Sequence, residues 1–143
     1  MTFTTVITRW GMVIAVALLC WLAGCGKKYY PVNGSVTLDD GTPLSKGLVI
    51  FERVEGGPAL TARGDIQPDG RYQLSTETPG DGVPVGRYKA VINPLDGSDV
   101  PDEKKMLPFH VKHVNFKTTD LEFEVKAGPN DIPIKLAPRE ASK

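Results

Sequence analysis

The sequence predicts an all-β fold: a sandwich of about seven short antiparallel strands, preceded by a short leader helix that is removed. Three observations predict it. After residue 26, apolar residues alternate with polar ones at a period of two, and no stripe at helical spacing appears. Fifteen glycines and twelve prolines punctuate the chain, so the alternating runs are cut to strand length. The one long apolar run, Trp10 to Ala23, lies at the N-terminus. Strands with one wet and one dry face pack most economically as two sheets around a shared core.

The first strand spans Val32 to Leu38. Val32, Gly34, Val36 and Leu38 share one face; Asn33, Ser35 and Thr37 share the other. Asp39-Asp40-Gly41 turns the chain, and a second strand follows from Leu48 to Arg53 with Val49 and Phe51 inward. The third strand runs from Leu60 to Ile66. Pro68-Asp69-Gly70 is a tight turn, in which proline sets φ and glycine supplies the positive-φ position. The fourth strand, Arg71 to Ser75, turns Tyr72 and Leu74 inward, and Thr76 to Val85 is a Gly/Pro-rich loop. The fifth strand, Gly86 to Asn93, places Tyr88, Ala90 and Ile92 on one face. Pro94 to Pro108 is polar and proline-rich, the best candidate for a mobile functional loop. Phe109 to Phe116 is ambiguous: Phe109, Val111 and His113 alternate with His110, Lys112 and Val114. Leu121 to Val125 is the sixth strand, Gly128 to Asp131 a turn, and Ile132, Ile134 and Leu136 mark the last strand. Residues 138–143 read as a flexible tail.

The N-terminal segment has the parts of an export signal. Met1 to Arg9 carries a single basic side chain, Arg9. The apolar run from Trp10 to Ala23 would make a helix of about 21 Å, short of the ~30 Å of a bilayer core. Small residues, Ala23 and Gly24, then precede Cys25. The run Leu22-Ala23-Gly24-Cys25 resembles the lipobox of bacterial lipoproteins. That resemblance implies a diacylglyceryl thioether on Cys25, cleavage of the Gly24–Cys25 bond, and a further acyl chain such as palmitate on the new N-terminus. An ordinary signal peptide with an incidental Cys25 and an uncleaved membrane anchor are the competing readings. Domain boundaries follow: a signal peptide at 1–24, a lipidated tether at 25–31, a sandwich at 32–137 and the tail at 138–143. Two or three acyl chains hold a protein to a membrane surface where one does not. Gly26 stands where an Asp would mark inner-membrane retention, so the outer membrane or cell surface is the expected location.

Composition narrows the function. Removing residues 1–24 from 143 leaves 119, enough for one cored domain. Cys20 leaves with the leader, so the mature chain keeps only Cys25 and forms no internal disulfide. With Arg9 gone, 16 basic residues face 17 acidic ones, a net charge of about −1. Charges of both signs are interspersed, and no basic stripe with aromatics points to nucleic acid.

A second resemblance covers most of residues 31–137. Val32-x-Gly34-x-Val36-Thr37-Leu38, Gly41-Thr42-Pro43-Leu44-x-x-Gly47 and Val49-x-Phe51 look like the start of a carboxypeptidase regulatory-like domain. Gly64-Asp65-Ile66, Asp69-Gly70-x-Tyr72-x-Leu74, Gly86-x-Tyr88-Lys89-Ala90-Val91-Ile92 and Gly128-x-Asn130-Asp131-Ile132 continue the likeness in order. The resemblance implies a transthyretin-like (prealbumin-like, Ig-like) sandwich and a non-catalytic appendage. Gly34 and Gly47 then suit close packing, Gly41, Gly70 and Gly86 suit turns, and Tyr72 and Tyr88 bury rings while their hydroxyls find partners at the sheet edge.

No catalytic constellation stands out, and no cofactor or metal is expected. His110 and His113, the only histidines, point to opposite faces in a strand and read as exposed polar residues near a loop. Asp39, Asp40, Asp65 and Asp69 lack a calcium-loop spacing, and Asp69-Gly70 is explained by its turn; Asp96 to Asp102 is the best remaining place for calcium. The chain ends without the Tyr-Arg-Gly-Ser segment of transthyretin-like hydroxyisourate hydrolases. Its first strand lacks the lysine of adhesin isopeptide bonds, which leaves Glu77 as a loop carboxylate. The expected role is therefore a lipid-anchored interaction or structural module. The runner-up is a small-ligand or carbohydrate binder using the 94–108 loop and exposed Tyr29, Tyr30 or Phe109. A third option is an accessory subunit of a separate envelope enzyme.

Overall fold

The computed structural model describes residues 28–94 and 107–139. The expected leader with Gly24, Cys25 and most of the 94–108 loop therefore lie outside the described residues. Ten strands occur there: β1 (Tyr29–Tyr30), β2 (Val32–Thr37), β3 (Leu48–Glu55), β4 (Thr61–Asp65), β5 (Arg71–Gln73), β6 (Val83–Pro84), β7 (Gly86–Asn93), β8 (Glu122–Val125), β9 (Asn130–Asp131) and β10 (Ile134–Lys135). Every strand expected from alternation is present, so the chain is an all-β sandwich.

One sheet is antiparallel in the order β4-β3-β7-β8. The other centres on β2, with β5 antiparallel on one side and β9 and β10 in succession on the other. The two sheets meet along one edge, where Arg63 and Ser75 exchange backbone hydrogen bonds of 2.9 and 2.8 Å. Gly64 allows that approach, because a Cβ there would overlap the Gln73 carbonyl. Between the sheets lie Val32, Val36, Val49, Phe51, Leu74, Tyr88 and Ile92, all fully buried. Phe51 stacks on Phe123 at 5.6 Å between ring centroids. These are the positions that the two-residue period turned inward.

Three features depart from expectation. The last strand is not antiparallel to its neighbour. β9 and β10 run parallel to β2, with Asn130 opposite Val32 and Ile134 opposite Val36. Parallel neighbours need a long connection, and residues 38–129 separate these two. The strand is broken at Ile132-Pro133, where proline has no N–H to donate. A strand, β1, also forms within residues 25–31, where none was expected, and pairs with β6 inside the predicted 76–85 loop. That loop is pinned by Asp81, whose carboxylate accepts the N–H groups of Thr76, Glu77 and Thr78 at 2.7, 2.8 and 2.9 Å. Finally, residues 109–116 form a bridge from Phe109 to Pro138 and a 3-10 helix at Val111–Val114.

The Pro68-Asp69-Gly70 turn is as read: Gly70 has φ 83° and its N–H reaches the Gln67 carbonyl at 2.8 Å. Among the described residues no helix is long and apolar enough to cross a membrane.

Candidate functional site

Two polar clusters stand at opposite ends of the sandwich. β2 separates them by six residues, about 20 Å at ~3.3 Å per residue. The tether enters at the Val32 end, and Asp39 follows the other.

At the distal end a depression of about 300 Å³ is lined by Asp39, Lys112, His113, Asp120, Lys135 and neighbouring apolar atoms. His113 is its least expected member. The sequence predicts an exposed side chain here, and His113 is 1% exposed. The reason is local: in a 3-10 turn the period of two no longer applies, and this turn packs on β7. Nε2 of His113 accepts the backbone N–H of Ala137 at 3.0 Å. The ring proton therefore belongs on Nδ1, which lies 3.5 Å from Asp120 Oδ1 and has no hydrogen-bond partner. Burial pushes the His113 pKa down; the Asp120 carboxylate opposes this, and Lys112 and His110 add to it. Asp120 is held below the usual carboxylate range chiefly by the hydrogen bond from Lys112 Nζ at 2.7 Å. Lys135 Nζ pairs with Asp39 at 3.3 Å. Because the Nε2 lone pair is already taken by a backbone donor, this imidazole is set up as a structural acceptor and cannot take a substrate proton there. His110 does a related job, its Nδ1 accepting the Lys112 N–H at 3.0 Å and capping the same turn.

At the tether end Arg53 ties four segments together. Its Nε donates to the Tyr88 hydroxyl at 3.0 Å, Nη1 to the Pro58 carbonyl at 3.3 Å and Nη2 to the Val85 carbonyl at 3.4 Å. The Tyr88 hydroxyl in turn donates to the Pro84 carbonyl at 2.8 Å. Burial raises the Tyr88 pKa, with Arg53 acting against it. Tyr72 behaves alike, donating to the Ile132 carbonyl at 2.6 Å from a buried ring. Both tyrosines therefore do what the sequence predicted. Tyr29 donates to Glu77 at 2.6 Å, and that bond pushes its pKa up to about 12. Glu77 is a loop carboxylate, as expected.

The other sequence candidates disperse. Tyr29 and Tyr30 are half-buried on the β1–β6 ribbon. Phe109 is not an exposed ligand-stacking aromatic: it is 1% exposed and belongs to the core. Its backbone bridges Pro138, which sets Phe109 beside the C-terminal segment with its ring in the core. Asp40 and Asp69 accept the N–H groups of Thr42 and Arg71 within their own turns, at 2.8 and 3.0 Å. Asp96 to Asp102 lies outside the described residues. Among the described residues, no three His, Cys, Asp or Glu side chains come together as metal ligands would. A second depression, of about 340 Å³, runs along the β4–β5 junction, lined by Arg63, Asp65, Ser75, Thr76 and Glu77. Ser75 Oγ there already accepts the Gly80 N–H at 2.8 Å. No family model, no curated protein and no solved structure matches this chain.

Proposed function

We propose that the chain is a lipid-anchored, non-enzymatic β-sandwich of a bacterial cell envelope, serving as an interaction or structural module. The observation that carries this is Leu22-Ala23-Gly24-Cys25 at the end of the apolar run, placed immediately before a folded domain. Four residues after Cys25 the chain is already paired in β1. The two-sheet architecture supports the likeness to transthyretin-like sandwiches, and the narrower carboxypeptidase regulatory-like assignment rests on the sequence motifs. The non-enzymatic reading rests on the sequence, in which no catalytic constellation stands out. The ligand-binding alternative loses one of its three aromatics with the burial of Phe109.

Metabolic labelling with a fatty-acid analogue tests the reading. The wild type is expected to take up label and fractionate with membranes, and Cys25→Ser to do neither. Equal labelling of the two proteins overturns the lipid anchor.

A further inference from the structure

We infer that the tether end of the sandwich lies against the membrane headgroups, with Val54 and Val85 as its contact residues. The inference rests on the lipid-anchor reading of Cys25 and specifies which surface that anchor presents to the bilayer.

The register of the first ribbon places the exit of the chain. β1 and β6 are antiparallel, with Tyr30 opposite Val83 and Tyr29 opposite Pro84. Continuing that register backwards runs Lys28 alongside Val85. Val85 is 45% exposed. Beside it, the β3–β4 hairpin brings a second apolar residue to the surface. A shift of register between Arg53 and Glu55 breaks the pairing of β3 with β7, and Val54 within it is 52% exposed. The two valines belong to neighbouring segments, since Arg53 Nη2 holds the Val85 carbonyl and a Cβ at Gly56 would touch Gly86. Among the described residues the other large apolar side chain in the open is Val111, 60% exposed, at the distal end.

The length of the tether turns this placement into an orientation. The three peptide links from Cys25 to Lys28 span at most about 11 Å. A headgroup layer is about 5–7 Å thick on each side of the hydrocarbon core. A thioether-linked glyceride fixes Cys25 at that layer, so the end beside Lys28 stays within reach of it. Turning the distal end to the bilayer would require the anchor to travel a further ~20 Å along β2. The residue types at the exit fit an interface. Lys28 Nζ sits 5.5 Å from the centroid of the Tyr30 ring, an aromatic body with a cationic tip. Nearby acidic groups are engaged: Glu77 by the Tyr29 hydroxyl and Glu55 by Arg87 at 3.2 Å. The acyl chains supply the affinity; two valines set the orientation.

The test uses the full lipidated protein in vesicles of phosphatidylethanolamine and phosphatidylglycerol, doped with a lipid carrying a headgroup nitroxide. Single variants Val54→Cys, Val85→Cys, Ser45→Cys and Val111→Cys each carry one thiol-linked fluorophore. Ser45 and Val111 report the distal end, and all four positions are exposed. Quenching several-fold stronger at 54 and 85 than at 45 and 111 is expected. Co-sedimentation with uniform quenching, or stronger quenching at 45 and 111, overturns the inference alone. The protein without engineered cysteines is the control for the anchor. If its Cys25 takes up fluorophore and the protein stays in the supernatant, the anchor reading fails and the inference falls with it.

Discussion

Replacing Gly34 with alanine is the sharpest probe of how the two termini are joined. Gly34 sits in the middle of β2, opposite Tyr72 on one side and level with the break at Ile132-Pro133 on the other. A Cβ there would overlap the Ile132 carbonyl and come within 2.8 Å of the Tyr72 hydroxyl. The neighbour on one side is backbone, which cannot rotate away. Overpacking of this kind costs about 1–3 kcal/mol. The same methyl would displace the 2.6 Å hydrogen bond from Tyr72 to Ile132, worth about 0.5–1.5 kcal/mol net. Gly34→Ala is therefore expected to destabilise by about 2–4 kcal/mol, read as a lower urea midpoint at unchanged m. Tyr72→Phe removes the hydroxyl from both effects. In a double-mutant cycle the pair is then expected to cost less than the sum of the singles, because the methyl meets one obstacle fewer. A Gly34→Ala protein within ~0.5 kcal/mol of wild type, the scatter of an ordinary surface change, would refute the reasoning.

The remaining predictions concern the polar anchors. His113 is held neutral by burial, with its pKa below the ordinary 6.5. Between that lowered value and 6.5 the unfolded chain binds more protons, so this contribution to stability is complete above about pH 6.5 and is lost as pH falls below it. The slope in that window is at most ~1.4 kcal/mol per pH unit for one proton, and urea titrations across it are expected to show it in the wild type and not in His113→Gln. Asp81→Ala leaves three N–H groups of the 76–78 backbone without their acceptor and is expected to cost about 1–3 kcal/mol. Amide exchange should rise first in residues 76–84; exchange rising evenly over the sandwich would contradict a local role. Tyr88→Phe strips a partner from both Arg53 and the Pro84 carbonyl, and about 1–3 kcal/mol of stability is expected to go with it.

The parts of this fold that were legible in the sequence are those governed by neighbours along the chain. Alternation at Val49, Phe51, Tyr88, Ala90 and Ile92 placed the core, because each strand has one dry face whatever it pairs with. For the same reason alternation is blind to direction: Ile132, Ile134 and Leu136 alternate identically beside a parallel or an antiparallel partner, and the parallel pairing to β2 went unread. β1 and β6 have two residues each, too few to carry a period, and the loop that leads into β6 is pinned by Asp81. His113 and Phe109 were misplaced because a 3-10 turn and a one-residue bridge obey no strand rule.

The topology also bears on the proposed anchoring. In the anchored form, any load between membrane and domain enters at Cys25 and passes through β1, which holds only two pairs with β6. It then reaches β2 through Pro31, and β2 is flanked on both sides. Its Asn33, Gly34 and Ser35 pair with β5, while its ends pair with β9 and β10. A strand held on two sides yields only when both ladders shear together, whereas the two-residue ribbon can peel one pair at a time. The ribbon is thus the compliant joint and β2 the fixed post. A side chain at Gly34 would collide with the Ile132 carbonyl of the C-terminal segment, so a substitution there loosens the post as well as the fold. Pulling the anchored wild type is expected to release β1 at low force and the sandwich at high force, and Gly34→Ala to lower only the second. A single release event, with β1 and β2 leaving together, would show that the ribbon is not a separate joint.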